Sequence, residues 1–283
     1  MAVGESTEIH QKLAVLKEQW SSCTKCTLGA RRMDAGGHFV FGEGVPRSIM
    51  IISDAPGEVE AFHGRAFTGP AGDLIHGIMK KLNCSDYYVT SLVACRSCVP
   101  AIAKDTGLPI TKNIKGVPTP QYYDSTPMPL EIQACQQRLY EEIYNVDPVV
   151  ILTLGVAVAE TLLGHSVTIT RDRGRPVHIK IPGRFYHPSL TDVRQVWGRK
   201  REGRMVFPVL QNELQYLTIP TMAASFVMKN KADLTSRGPF NNFLNDIKLA
   251  VRIYEKYLIE VRRVEPNFKH DADFSEMESM YDE

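Results

Sequence analysis

The chain is 283 residues long, 43% of them apolar, and sets 33 Lys and Arg against 32 Asp and Glu. That length suits one large domain or two small ones around a sizeable core, and the balanced charge does not mark the chain as a whole for a polyanionic partner. No stretch approaches the roughly 18 to 20 apolar residues that span a bilayer, the opening residues lack the basic start and apolar run of a secretory signal, and six cysteines at this size do not make a disulfide scaffold.

Taken in chain order, Ile9, Leu13, Val15, Leu16 and Trp20 carry an approximate helical spacing over residues 7 to 20. That helix leads to Cys23-Thr-Lys-Cys26. Two further cysteines, Cys95 and Cys135, lie far downstream at segment ends. A thiol pair two residues apart with distant partners can close a thiolate site around zinc or an iron–sulfur cluster. The same four residues also fit buried, reduced thiols acting as small hydrophobes in an intracellular, reducing setting.

Ser48 to Ser53 is a continuous apolar run, the pattern of a strand buried on both faces, and it ends in the turn Asp54-Ala-Pro-Gly57. Gly69-Pro-Ala-Gly72 opens a helix over Asp73 to Leu82. Tyr87 to Ala94 and Pro148 to Leu154 read as strands, with a helix over residues 130 to 146 between them. Strands alternating with helices predict a parallel α/β sheet whose ligand site lies beyond the carboxyl ends of the strands. Asp54, the segment after Ser91 and Gly155 all fall at such ends. Residues 97 to 129, rich in Pro, Gly, Thr and Lys, read as a long surface loop. Residues 191 to 238 hold a basic run (Arg194, Arg199, Lys200, Arg201, Arg204), a short strand at Met205 to Leu210 and an ambiguous middle. Phe243, Ile247, Val251 and Tyr254 form one stripe of a closing helix over Asn242 to Tyr257. The acidic tail from Glu265 is expected to be disordered.

Two loops hold the remaining chemistry. Between Asp54 and Gly72, glycines 57, 64, 69 and 72 permit close backbone approach to a ligand, and Asp54 stands where a strand stops. A Gly-rich connection with Asp54 as a turn residue fits the same pattern. His187, directly before Pro188, is held out of helical geometry, which suits either a positioned imidazole or a structural one. The basic run that follows offers cations for phosphate contacts.

In this order the pieces resemble the family 4 uracil-DNA glycosylases, the iron–sulfur branch of the uracil-DNA glycosylase superfamily. The resemblance is carried by the Cys-x-x-Cys pair, Ser53-Asp54-Ala55-Pro56-Gly57, Gly64-Arg-Ala-Phe67-Thr-Gly-Pro-Ala-Gly72, Val89-Thr90-Ser91, Cys95-Arg96, Cys135 and His187-Pro188-Ser189. It spans residues 20 to 190 and the closing helix. It implies a three-layer α/β/α sandwich with a central, mainly parallel four-stranded sheet. One such domain would cover residues 1–264, with insertions at about 97–129 and 191–238. It also implies a [4Fe–4S] cluster on Cys23, Cys26, Cys95 and Cys135, with zinc as the alternative metal, Cys98 as a rival ligand and Cys84 buried and free.

The implied reaction flips a pyrimidine out of DNA and hydrolyses its N-glycosidic bond, leaving an abasic site. By position, Phe67 would stack on the base, with Ser91, Ala55 and Gly57 beside it. His187 would donate to the leaving base, and Asp54 would place or polarise water. Ser189, Leu190, Arg194, Arg199, Lys200 and Arg201 would hold the opened DNA. Two residues depart from the family pattern. Asp54 stands where the family has glutamate, a reach shorter by up to about 1.5 Å. Ser91 replaces the asparagine that reads the pyrimidine edge, one rotatable hydroxyl in place of an amide. These departures admit two alternatives, excision of a bulky hypermodified base and an inactive DNA-binding or scaffold protein. The acidic tail, with Phe268, Phe274 and Tyr281, or the two insertions would offer a contact for a replication or repair protein.

Overall fold

In the computed structural model, residues 3–34, 37–114, 116–181, 214–230 and 238–274 are described. The chain opens with helices α1 (Val3–Ser21) and α2 (Thr27–Asp34), then the short strand β1 (Glu43–Gly44) and β2 (Ile49–Ser53). Helices α3 (Glu58–His63) and α4 (Pro70–Lys81) lead to β3 (Tyr87–Ser91). Four short strands follow, β4 (Cys98–Pro100), β5 (Thr111–Ile114), β6 (Val117–Pro120) and β7 (Tyr122–Asp124). After α5 (Pro129–Val146) come β8 (Val150–Leu154), α6 (Val156–Leu163), α7 (Ile169–Asp172), β9 (Val177–Ile181) and β10 (Leu214–Thr221). Helices α8 (Ala224–Lys229) and α9 (Pro239–Tyr257) complete the order, the latter running into a π-turn at Leu258–Arg262.

The main sheet has the order β1-β3-β2-β8-β10-β9. Its four inner strands are parallel, and β1 and β9 pair antiparallel at the edges. Both faces are covered, which explains why β2 and β8 read as unbroken apolar runs. Because side chains alternate across a strand, Ile49, Ile51, Val150 and Leu152 join a core with α4, α8 and α9. Met50, Ile52 and Ile151 join the opposite core with α1, α5 and α6. The α/β/α sandwich and mainly parallel sheet expected from the sequence are therefore present, widened by two antiparallel edge strands.

Three expectations need correction. Residues 97–129 are not one long loop: β4 pairs with β7 and β5 with β6, forming two exposed ribbons. The ambiguous middle contains β10, a buried inner strand of the sheet. The tail from Glu265 is ordered at least to Phe274. Phe274 is buried, Phe268 stacks on Tyr254, and the Lys269 amide donates to the Leu82 carbonyl. Those two rings are core contacts and are not offered to another protein. Met205 to Leu210 and Tyr281 lie outside the described residues. No described helix is long and apolar enough to cross a membrane.

Candidate active site

Strand β2 lies between β3 and β8, and the crossovers to those neighbours pass over opposite faces of the sheet. The crevice between the carboxyl ends of β2 and β8 is therefore the switch point at which open α/β sheets bind ligands. Asp54 directly follows β2 there. Its carboxylate accepts the Val158 backbone N–H at the start of α6, while Oδ1 is buried with no hydrogen-bond partner. Burial pushes the carboxyl up to about 6, and the Val158 contact pulls the other way. Gly155, at φ +110°, makes room for it, since a Cβ there would stand 3.1 Å from Oδ2.

Opposite lies Phe67, held in a left-handed backbone conformation (φ +54°) that is uncommon for an aromatic residue. Two neighbours enforce it. His76 Nε2 stands 3.0 Å from the Phe67 carbonyl, and a Cβ on Gly72 would come within 1.9 Å of the same oxygen. Strain retained at an aromatic that faces a cavity is a sign of function.

The buried Glu60 braces both loops. Its carboxylate accepts the Gly57 N–H at 3.1 Å and the Gly69 N–H at 2.9 Å. Glu60→Ala leaves two amides without acceptors at a cost of about 1–3 kcal/mol. We expect a lower denaturation midpoint and a raised KM, with Glu60→Gln intermediate. Equal stability and KM in the alanine variant would show that the brace is dispensable.

These loops enclose a cavity of about 570 Å³, with Asp54, Ala55, Gly57 and Phe67 in its lining. Leu154, Ala224 and Lys229 contribute from the far side. The insertion contributes too, through Ser97, Asp124, Ser125 and Thr126. Ser91 is not in the lining among the described residues. It is buried one layer back, its hydroxyl 2.9 Å from that of Ser53, which does line the cavity.

On the α1/α5 side of the sheet, Cys23, Cys26 and Cys135 pack against the core that contains Cys95. Burial pushes the Cys95 thiol up to about 12. Arg32 pulls it down, and the charges of Cys135, Cys26 and Cys23 add to the rise. Arg32 also donates to the Cys23 carbonyl at 3.0 Å, and α2 lies so close that a Cβ on Gly29 would meet that oxygen at 2.7 Å. Arg138 Nη2 stands 3.7 Å from Cys135 Sγ. Among the described residues no three His, Cys, Asp or Glu side chains form a group tight enough for a single metal ion. Cys98 has Arg96, Asp124, Arg31 and Glu58 around it. Cys84 is buried and free.

The family model described as the uracil DNA glycosylase superfamily matches residues 41–248, a span that includes both walls of this cavity. The chain belongs to that superfamily. Among individual relatives, the type-4 uracil-DNA glycosylase of Sulfurisphaera tokodaii is 30% identical over 203 residues, covering 69% of this chain and 72% of its own length. The protein of the same name from Thermotoga maritima is 28% identical over 169 residues, covering 58% of this chain and 73% of its own. That of Saccharolobus solfataricus is 31% identical over 147 residues, 50% of this chain and 55% of its own.

Membership places the chain among DNA N-glycosylases, hydrolases of the N-glycosyl bond. Within this superfamily fold, Asp54, Ala55, Gly57 and Phe67 meet at one cavity, and Cys23, Cys26, Cys95 and Cys135 share one neighbourhood. His187, Ser189, Leu190, Arg194, Arg199, Lys200 and Arg201 lie outside the described residues. Reading along the chain misses Glu60, His76, Ser53 and the four insertion residues at the cavity. Glu60 carries the one available signal, a glutamate three residues after a glycine at a helix start, which is half of a capping box.

Proposed function

We propose that the chain is a monofunctional DNA N-glycosylase that takes uracil or a modified pyrimidine, extrahelical, into the cavity between Asp54 and Phe67. The observation that carries this reading is the Asp54 carboxylate at the switch point, with one oxygen buried and unpartnered, facing a cavity whose other wall is a backbone-strained aromatic. Phe67 supplies a face for base stacking, worth about 1–3 kcal/mol. Above about pH 6 Asp54 is ionised, and its carboxylate, at the cavity wall, can accept a proton of the attacking water and orient its lone pair toward C1′. The C1′–N bond breaks, a C1′–O bond forms from water, and the base departs as an anion. His187 donates a hydrogen bond to that anion. Ser189, Leu190, Arg194, Arg199, Lys200 and Arg201 hold the opened strand, the cations through its phosphates.

Four thiols sharing one neighbourhood, Cys95 buried and Cys23, Cys26 and Cys135 half-buried, with Arg32 and Arg138 as nearby positive charge, fit an anionic thiolate cluster. Cys23, Cys26, Cys95 and Cys135 would hold a [4Fe–4S] cluster there, supplying a structural tie between the N-terminal segment and the sheet. Such a group, with six free cysteines, accords with a reducing intracellular setting.

The test incubates anaerobically purified protein with duplexes bearing uracil or a modified pyrimidine. The expected result is free base and an abasic site that breaks only on alkali treatment. DNA binding without base release from any duplex would instead support the scaffold reading, and strand breaks before alkali would exclude a monofunctional enzyme.

A further inference from the structure

Resting on the base-excision reading above, we propose that the 97–129 insertion is the pocket wall that recognises a substituent on the excised base. The substrate class this wall suits is a pyrimidine carrying a hydroxyl-bearing group, such as hydroxymethyl or a sugar.

The insertion both leaves and returns at the cavity. It departs at Ser97 and comes back through Asp124, Ser125 and Thr126, all four of which line the space. Its root is fixed in several ways. Cys98 pairs in register with Asp124, and the Ser125 amide donates to the Ser97 carbonyl at 2.9 Å. Arg96 then clamps Asp124 at 2.7 Å and Glu58 at 3.2 Å. That clamp joins the insertion to the helix following the Asp54 loop. The other Asp124 oxygen faces the same loop, 3.5 Å from where a Gly57 Cβ would lie.

The chemistry of this wall is poorly matched to an unmodified uracil. Uracil keeps its two carbonyl acceptors and its one N3–H donor on the ring and bears only hydrogen at C5, so it has no polar group to extend from the ring toward this wall. A hydroxyl on the base both donates and accepts, so it can donate to the free Asp124 oxygen. It can also exchange hydrogen bonds with Ser125, whose own hydroxyl lies 3.1 Å from that of Ser97. The Ser53–Ser91 hydroxyl pair at the ends of β2 and β3 extends the same character. These groups are graded from floor to mouth, with Ser97 buried, Ser125 half-buried, and Asp124 and Thr126 exposed. A substituent pointing outward from the base would meet them in turn. The cavity volume, about 570 Å³, lies in the range that takes drug-sized ligands and exceeds what a bare pyrimidine ring fills.

The experiment measures kcat/KM for base release by the full-length protein on duplexes differing at one base. The bases are uracil, 5-hydroxymethyluracil, 5-hydroxymethylcytosine and glucosylated 5-hydroxymethylcytosine. We expect at least one substituted base to exceed uracil by about tenfold or more, since a site built to bond a hydroxyl discriminates strongly against its absence. Asp124→Ala or Ser125→Ala should lower that ratio by about tenfold. Ser125→Ala is the milder change, so the comparison survives if loss of Asp124 disturbs the Arg96 clamp. Uracil preferred or equal, with ratios unmoved by both variants, would overturn the inference and leave the glycosylase reading standing. Silence on every duplex would overturn both.

Discussion

Asp54→Asn is expected to lower the rate of base release by about 10²- to 10⁴-fold, the usual contribution of a positioned acid–base group. At 1.36 kcal/mol per decade this is about 3–5 kcal/mol of barrier. The pH profile separates this from general damage. Burial raises the Asp54 carboxyl to about 6, so the working carboxylate is present above that pH and protonated below it. The unmodified protein should therefore gain about tenfold in rate per pH unit up to about 6 and then level off, and the asparagine variant should lose that limb. Stability should move the opposite way. A carboxyl whose pKa is raised on folding holds its proton more tightly in the folded than in the unfolded state, so its contribution to stability is lost as pH rises from about 4 to about 6. Removing the charge is thus expected to stabilise the fold above pH 6, by up to about 3 kcal/mol. A variant that is slower but no less stable is what a functional carboxylate predicts. One that keeps its rate within threefold would remove Asp54 from the reaction.

Arg138→Met is expected to be the most damaging single change to the fold. Arg138 and Glu142 are both wholly buried and paired one helical turn apart on α5. Arg138 Nη2 donates to the Ser91 and Leu92 carbonyls, and Nη1 donates to Thr90 Oγ1 at 3.2 Å. Glu142 accepts from Tyr88 at 2.8 Å, from Thr90 at 3.0 Å and from the Gly42 amide at 3.0 Å. Both carboxylate oxygens of Glu142 and both terminal nitrogens of Arg138 are bonded in this network, so removing the arginine strands a buried carboxylate at a cost of about 3–5 kcal/mol. The melting temperature should fall by roughly 10 °C. The double variant Arg138→Met/Glu142→Gln removes the charge but keeps an acceptor, and should recover more than half of the loss. A loss under about 1 kcal/mol, or no recovery in the double variant, would contradict this picture. The pair also joins the two halves of the site. It grips the end of β3 behind Ser53 and touches Cys135, so the visible absorbance of the proposed cluster should weaken in the single variant along with stability.

The legible parts of this chain were those where burial on a defined face leaves a period. The stripe Phe243, Ile247, Val251 and Tyr254 reads directly as the buried side of α9, and the apolar runs of β2 and β8 read as strands covered on both faces. Asp54 stood out because a carboxylate at the end of such a strand is where open sheets place ligands. Strand β10 was hidden by its composition. Leu-Gln-Tyr-Leu-Thr-Ile-Pro-Thr carries polar residues that are nonetheless buried, Thr218 and Thr221 among them, and a proline that argues against an inner strand. Pro220 is tolerated near the strand's end, in register with Thr153 of β8. The insertion ribbons left no alternation because both their faces are largely exposed. Contacts through space were the least readable. Nothing local marks Asp124 as a wall of a cavity formed seventy residues earlier, or tells that the Ser91 hydroxyl meets Ser53 and not the cavity itself.

The most direct test of the central claim is a crystal structure with duplex DNA bearing 2′-fluoro-2′-deoxyuridine, whose glycosidic bond resists hydrolysis. The account predicts the uracil ring out of the helix, stacked on Phe67, with C1′ facing the Asp54 carboxylate. A base still paired in the duplex, or an extrahelical base lodged away from the Asp54–Phe67 cavity, would contradict it.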